Sequence, residues 1–200
     1  MYPFSFQNPT RIEFGLDKEK EMGKYMHEYG AKKALIIYGS ERVKQSGLFE
    51  DVAKSLREHG IEYIECGGVK SNPTISKVRK AVTMAKAFGA DSVLSIGGGS
   101  CLDSAKAIAA GACYDGDTWD FFKGTPVQKA LMIFDVITLA ATGSEMNWGS
   151  VITNEETQQK YSIHSNHLFP KVSVINPKLQ ATVSRDYLVY SAADIIAHSI

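Results

Sequence analysis

Nowhere in its 200 residues does the chain have the apolar run of about 18 that a membrane-crossing helix needs. Its opening, MYPFSFQ, lacks the basic segment and apolar core of a secretory leader. Neither sign of charge is in excess. The 22 Lys and Arg balance 22 Asp and Glu, so no net field draws the chain to nucleic acid or to an anionic membrane surface. Cysteine is scarce: Cys66, Cys101 and Cys113 are odd in number and lack zinc-type spacing, which points to buried free thiols in a reducing cytoplasm. Repeats, low-complexity tracts and linkers are missing as well, which leaves one large domain or one and a fraction. With 44% hydrophobic residues, the chain has enough apolar material for a sizeable core.

The most informative stretch present is residues 92–100, SVLSIGGGS. Residues 92–96 suit a short buried strand. Residues 101–112 place Leu102, Ala105, Ile108 and Ala109 on one helical face. A strand, a glycine turn and a helix N-terminus collect free backbone N–H groups and a positive dipole end at one point. A nucleotide pyrophosphate is the usual anion at such a point. These glycines do not have the spacing of the dinucleotide fingerprint, and a glycine run also serves as a plain tight corner, so both readings stay open. Asp103, in the first helical turn, suits the dipole but repels a close phosphate. It is therefore expected to face a ribose or a hydroxyl, or to cap.

Taken in order, residues 10–14 read as a strand entered after Pro9, which needs a sheet edge in its own chain or in a partner. A helix follows over 18–29, with Met22, Tyr25 and Met26 in the core. The next strand, 34–38, runs into Gly39 and Ser40. A helix over 48–58 stops at Gly60, and a strand over 61–65 leads through a loop to Asn72 and Pro73. These two read as N-cap and first residue of a helix with Ile75, Val78, Val82, Ala85 and Phe88 on one face. The order β-α-β-α-β-α implies a parallel sheet with right-handed crossovers, whose ligands gather beyond the carboxyl ends of the strands. Those ends are Gly39 with Ser40, the loop before Asn72, and residues 97–100.

Residues 113–126 read as a loop in which Trp119, Phe121 and Phe122 pack as a cover. A strand over 131–139 enters the small, hydroxyl-bearing segment AATGSE, suited to close approach by a ligand. Residues 151–153 and 161–163 flank a polar turn as a hairpin, and residues 172–175 form a last strand stopped by Pro177. His164 and His167 lie beside the hairpin in solvent or cleft positions, and His27 and His59 on helix surfaces. Ser184 caps a helix over 185–200, on which Asp194 and His198 stand one turn apart. A carboxylate and an imidazole suit Fe²⁺ or Zn²⁺, but at least a third ligand is needed, and such a pair is also an ordinary surface feature.

The segments NPTRIEFG, YGSERVKQSG, SIGGGSCLDSAKAIAAG, TLAATGSEMNWGSVI, KYSIHS and ADIIAH, with the Asn-Pro at 72–73, resemble the iron-containing (group III) alcohol dehydrogenases, particularly their butanol-dehydrogenase-like branch, in order and spacing. The resemblance implies an α/β, Rossmann-like parallel sheet flanked by helices over residues 1–180. The first helix of an all-helical metal-binding domain, cut short at Ile200, would occupy 181–200. Later histidines of the family lie beyond that point, and Ser191 stands where related sequences commonly have Gly.

The implied reaction is reversible hydride transfer between a nicotinamide dinucleotide and a primary alcohol or aldehyde. A metal, Fe²⁺ or Zn²⁺, acts as the Lewis acid, so that no protein base is required. Asp194 and His198 become metal ligands. Gly97, Gly98, Gly99 and Ser100 cradle the pyrophosphate with Asp103 close by, Asn72 sits toward the adenosine, Thr138, Leu139 and Thr142 line the adenine and ribose path, and Asn147 and Lys160 lie nearer the nicotinamide ribose. NAD-preferring relatives often carry Asp at the position of Gly39. Its absence lets Ser40, Arg42 or Lys44 meet a 2′-phosphate, so NADP(H) is expected to be preferred over NAD(H).

The resemblance further implies a homodimer paired through the N-terminal strand and a small-molecule substrate; the thiols point to the cytoplasm, and the charge balance and hydropathy to no nucleic-acid or membrane partner. Alternatives are glycerol-dehydrogenase-like polyol oxidation, and a nucleotide-binding fragment without complete catalytic machinery.

Overall fold

The computed structural model describes Pro3, Ser5 and residues 7–199, with side chains to residue 197. In chain order the elements are β1 (Arg11–Phe14), α1 (Met22–Glu28), β2 (Lys33–Tyr38), α2 (Arg42–Gln45), α3 (Leu48–Glu58), β3 (Glu62–Cys66), α4 (Ile75–Phe88), β4 (Ser92–Gly97) and α5 (Gly99–Ala112). There follow α6 (Trp119–Phe122), β5 (Met132–Ile137), β6 (Gly149–Asn154), β7 (Gln159–His164), β8 (Val172–Ile175), α7 (Pro177–Gln180) and α8 (Arg185–Ser199). Six strands make one sheet in the order β1-β8-β5-β4-β2-β3, parallel at every pairing. β6 and β7 form a separate antiparallel hairpin.

Helices cover both faces of the sheet, as a parallel sheet requires. On one face Leu35, Ile37, Val93, Ile133 and Ile137 pack with Val78 and Val82 of α4 and Leu102 and Ile108 of α5. On the other, Ile36, Leu94, Ile96 and Phe134 pack with Met22 and Met26 of α1 and Val52 and Leu56 of α3. β2 connects outward to β3 while β4 connects the opposite way to β5. This reversal of strand order opens a crevice between the carboxyl ends of β2 and β4.

The structure moves several expected boundaries. β1 takes an edge of its own sheet, beside β8. The single helix expected over 18–29 is a 3-10 turn, Lys18–Glu21, followed by α1, entered through Asp17 at a left-handed φ of 60°. Asn72 does not cap a helix: it holds a φ of 55°, Thr74 is the N-cap, and α4 starts at Ile75. Three physical reasons combine. A residue before proline avoids the helical region, asparagine tolerates positive φ, and the Pro73 carbonyl accepts the Thr153 N–H of the hairpin at 2.8 Å. The aromatic cover at Trp119, Phe121 and Phe122 is buried as expected, but as the one-turn α6.

Gly23 sets the spacing of α1 and α3. Its N–H donates to Ser55 Oγ at 2.9 Å, and a Cβ there would lie 2.0 Å from the Ser55 carbonyl oxygen. That neighbour is backbone, so a methyl group must push two helices apart. Gly23→Ala is expected to lower the unfolding free energy by about 2 kcal/mol or more, read as an earlier chemical-denaturation midpoint at unchanged slope.

Candidate functional site

At the crevice, β4 ends on three glycines and α5 begins. Gly98 is the N-cap in extended conformation, with no side chain capping the helix; the Cys101 and Leu102 N–H groups donate to its carbonyl, which leaves those of Gly99 and Ser100 open. A Cβ on Gly97 would lie 2.5 Å from Cys101 Sγ, one on Gly98 3.3 Å from Leu139 Cβ, and one on Gly99 2.9 Å from Thr142 Oγ1. A side chain at Gly97 or Gly99 therefore forces its neighbours to move and one at Gly98 is tight, and Leu139 and Thr142 stand against the corner as a wall. Thr138 N–H donates to the Gly97 carbonyl at 3.0 Å, tying the end of β5 to the end of β4. Gly39 faces the same corner, since its Cβ would sit 3.7 Å from Cys101 Sγ, and its carbonyl accepts the Gly68 N–H. Burial pushes the Cys101 thiol up to about 12, which makes it packing rather than a nucleophile.

Gly39, Gly97, Gly98, Gly99, Thr138, Leu139 and Thr142 thus share one mouth, with Ser100 in the first turn of α5 and Ser40 exposed at the end of β2. Asn72 and Lys160 meet each other instead: Lys160 Nζ donates to Asn72 Oδ1 at 2.9 Å, so the two expected ends of the ligand path lie side by side.

Asp103 and Asn147 turn inward. Because α5 starts at Gly99, Asp103 sits in its second turn rather than its first. One carboxylate oxygen accepts the Ser144 hydroxyl at 2.7 Å and the other the Val151 N–H at 3.2 Å. Burial raises its carboxyl, against the Ser144 hydrogen bond and the charge of Lys106. Asn147 Oδ1 accepts from Lys106 Nζ and from the Gly149 N–H, both at 2.9 Å.

Lys106, which sequence patterning had not singled out, is wholly buried at the centre of this cluster. Its ammonium donates to the carbonyls of Ser144, Asn147 and Gly149 and to the side-chain oxygens of Ser144 and Asn147, at 2.7–2.9 Å. Burial pulls it down to about 8, with Asp103, Asp135 and Glu145 holding it up. Its sequence signal was the single cation of a helix that, Asp103 apart, is made of small and apolar residues.

Asp135, in the middle of β5, has no exposure. Ser173 Oγ lies 2.6 Å from its Oδ2 and 2.8 Å from the Glu145 carbonyl oxygen. A serine has one proton to give, so when it serves Glu145 the short contact needs a proton on Asp135. Asp135 Oδ1 has no hydrogen-bond partner among the described residues. Burial accordingly drives this carboxyl well above its ordinary range.

Asp194 and His198 lie four residues apart on α8. The His198 side chain, like Ile200, lies outside the described residues, and among those described no group of three or more His, Cys, Asp or Glu comes together to hold a metal ion. His164 and His167 are exposed.

The proton on Asp135 has a measurable consequence. In the unfolded chain this carboxyl ionises near pH 4, while the folded state keeps it neutral, so over that window the folded state binds the extra proton and stability falls as pH rises. The Asp135→Asn variant, neutral at every pH, is expected to gain progressively on the wild type as pH rises above about 4, measured by chemical denaturation across the range.

The profile of the family described as iron-containing alcohol dehydrogenase matches residues 9–177. The chain is 43% identical over 199 residues to a probable NADH-dependent butanol dehydrogenase of Bacillus subtilis, covering 99% of this chain and 51% of that protein. It is 32% identical over 205 residues to an NADPH-dependent aldehyde reductase of Escherichia coli, covering all of this chain and 52% of that one. The crystal structure of an NADH-dependent butanol dehydrogenase A from Thermotoga maritima superposes with a TM-score of 0.96 at 48% identity, over 99% of this chain and 50% of that chain. The chain spans about half the length of the curated relatives it matches. It belongs to the iron-containing alcohol dehydrogenase family.

Proposed function

We propose that this chain is the dinucleotide-binding part of an alcohol dehydrogenase or aldehyde reductase that moves hydride between NAD(P)(H) and a primary alcohol or aldehyde. The observation that carries this reading is the corner Gly97–Gly99, bare of side chains, uncapped at the head of α5, and set where the strand order reverses. Its N–H groups, with those of Ser100, suit a pyrophosphate. Leu139 and Thr142 bound it on one side, Thr138 and Gly39 line the approaches, and Asn72 with Lys160 forms a polar rim. Asp103 and Asn147 act through the Lys106 cluster. The bound dinucleotide supplies the nicotinamide ring that gives or takes hydride, and this chain's residues hold and orient it.

Residues 1–180 form the dinucleotide domain in this reading, and 181–200 the first helix of a helical domain. Asp194 and His198 are assigned as two ligands of an Fe²⁺ or Zn²⁺ ion. They do not make a complete donor set, so no step is routed through the metal. The outer edge of β1, unpaired among the described residues and ending in Phe14, which is 67% exposed, supports a homodimer joined at that strand. Among the described residues no helix is long and apolar enough to cross a membrane, and the three free thiols support a cytoplasmic setting.

Cofactor choice turns on Gly39. It carries no carboxylate to hold a 2′-hydroxyl, and the exposed Ser40 and Arg42 follow it directly, which favours the 2′-phosphate of NADP(H). Lys44 is less available, because its ammonium is paired with Glu65 at 2.8 Å. The butanol dehydrogenases above are named for NADH and the aldehyde reductase for NADPH.

Titrating the chain with NADPH and with NADH, followed by reduced-nicotinamide fluorescence, is expected to give saturable binding of both, tighter for NADPH. No saturable binding of either overturns the dinucleotide reading, while tighter NADH overturns only the preference. Gly99→Ala, which sets a methyl group against the Thr142 hydroxyl, is expected to raise Kd about tenfold with the far-UV spectrum unchanged.

A further inference from the structure

The wall of the mouth belongs to the segment joining β5 to β6, which carries only one 3-10 turn, Ser144–Met146, as regular structure. A segment with so few backbone bonds of its own takes its position from its anchors. The chief anchor is Lys106. An ammonium has three N–H groups, and five oxygens of Ser144, Asn147 and Gly149 surround this one within 2.9 Å, so the arrangement depends on charge as well as on shape. The Ser144 hydroxyl passes the contact on to Asp103, one turn back along α5. The same helix therefore supplies the floor of the corner at Gly99 and, two turns on, the cation that fixes the wall. Thr142, two residues before Ser144, is the wall residue that a Cβ on Gly99 would strike.

We propose that Lys106 is the positioning residue of the dinucleotide site: its ammonium, touching no ligand, holds the Leu139–Thr142 wall at the separation from Gly98 and Gly99 that a pyrophosphate requires. The proposal rests on the dinucleotide reading above. A neutral amine has one donor fewer, so the anchor weakens when Lys106 loses its proton, which its burial sets near pH 8. The titratable groups facing it are Asp103 on α5, Asp135 on β5, whose carboxyl burial holds in the protonated form, and Glu145 in the segment itself.

The test measures the Kd of NADPH between about pH 6.5 and about pH 9.5 for the wild type, Lys106→Met and Asp135→Asn, with amide hydrogen exchange on the same samples. The wild type is expected to lose about tenfold in affinity as pH passes 8, with exchange protection, taken relative to the intrinsic rate at each pH, falling over residues 138–149 and not in β2 or β4. Lys106→Met is expected to bind about tenfold more weakly at neutral pH with no pH slope, and Asp135→Asn to keep the slope. If Lys106→Met binds as the wild type does, or if the slope disappears with Asp135→Asn, the assignment to Lys106 falls while the dinucleotide reading stands. Absence of NADPH binding by the wild type overturns both. Should Lys106→Met fail to fold, the wild-type series decides: affinity and local protection changing together support the proposal, and either changing alone, or neither changing, overturns it.

Discussion

Close approach is the constraint from which the rest of this fold follows. At Gly97 and Gly99 the backbone meets Cys101 and Thr142 at distances that leave no space for a β-carbon, and at Gly98 it meets Leu139 with little to spare. A strand can turn into a helix in so little room only without side chains, and the same bareness leaves the helix N–H groups reachable from outside. The reversal of strand order at β2 and β4 then decides that this corner faces a crevice instead of a neighbouring connection.

Behind the corner runs a polar layer that a purely apolar core would not need. Ser95, Asp135 and Ser173 are register partners across β4, β5 and β8, all without exposure and on the face of the sheet that α5 covers. Together with Lys106 and Asp103 they bring buried charge and hydroxyl groups under the very segment that walls the mouth. Leaving such groups unpaired costs about 1–3 kcal/mol each, so the segment's carbonyls are required partners for Lys106 and Ser173, while Ser95 Oγ has no partner among the described residues. An apolar contact tolerates sliding, whereas an ammonium among fixed carbonyl oxygens does not. The polar layer therefore specifies where an otherwise irregular segment sits.

Much of this could be read in the residue pattern, because the pattern records burial. Alternating strands and helices gave the parallel sheet, the apolar face of 75–88 gave α4, and the glycine run after a strand marked the corner. What the pattern misrepresents are places where polar side chains go against the usual rule. Lys106 sits among alanines and isoleucine, and Asp135 between Phe134 and Val136. Each is a lone charge in an apolar run, a sign of buried function or buried pairing, yet the partners lie 38 to 43 residues from Lys106 and only the folded register shows them. Asn72 failed differently. Asn-Pro matches a helix start by residue type, but the hairpin takes the Pro73 carbonyl, and this tertiary bond moves the start to Ile75.

The hairpin is the least regular addition to the sheet and the one with the most connections across the site. β6 starts at Gly149, a Lys106 acceptor, continues through Val151, whose N–H binds Asp103, and reaches Thr153 on the Pro73 carbonyl. β7 returns with Lys160 on Asn72. One antiparallel ribbon thus ties the second turn and buried lysine of α5 to the loop ahead of α4, the same helices that pack side by side on one face of the sheet. Movement of the wall relative to the floor must then strain bonds at both ends of that ribbon. This couples the shape of the mouth to the polar rim at Asn72, although no single side chain spans the two.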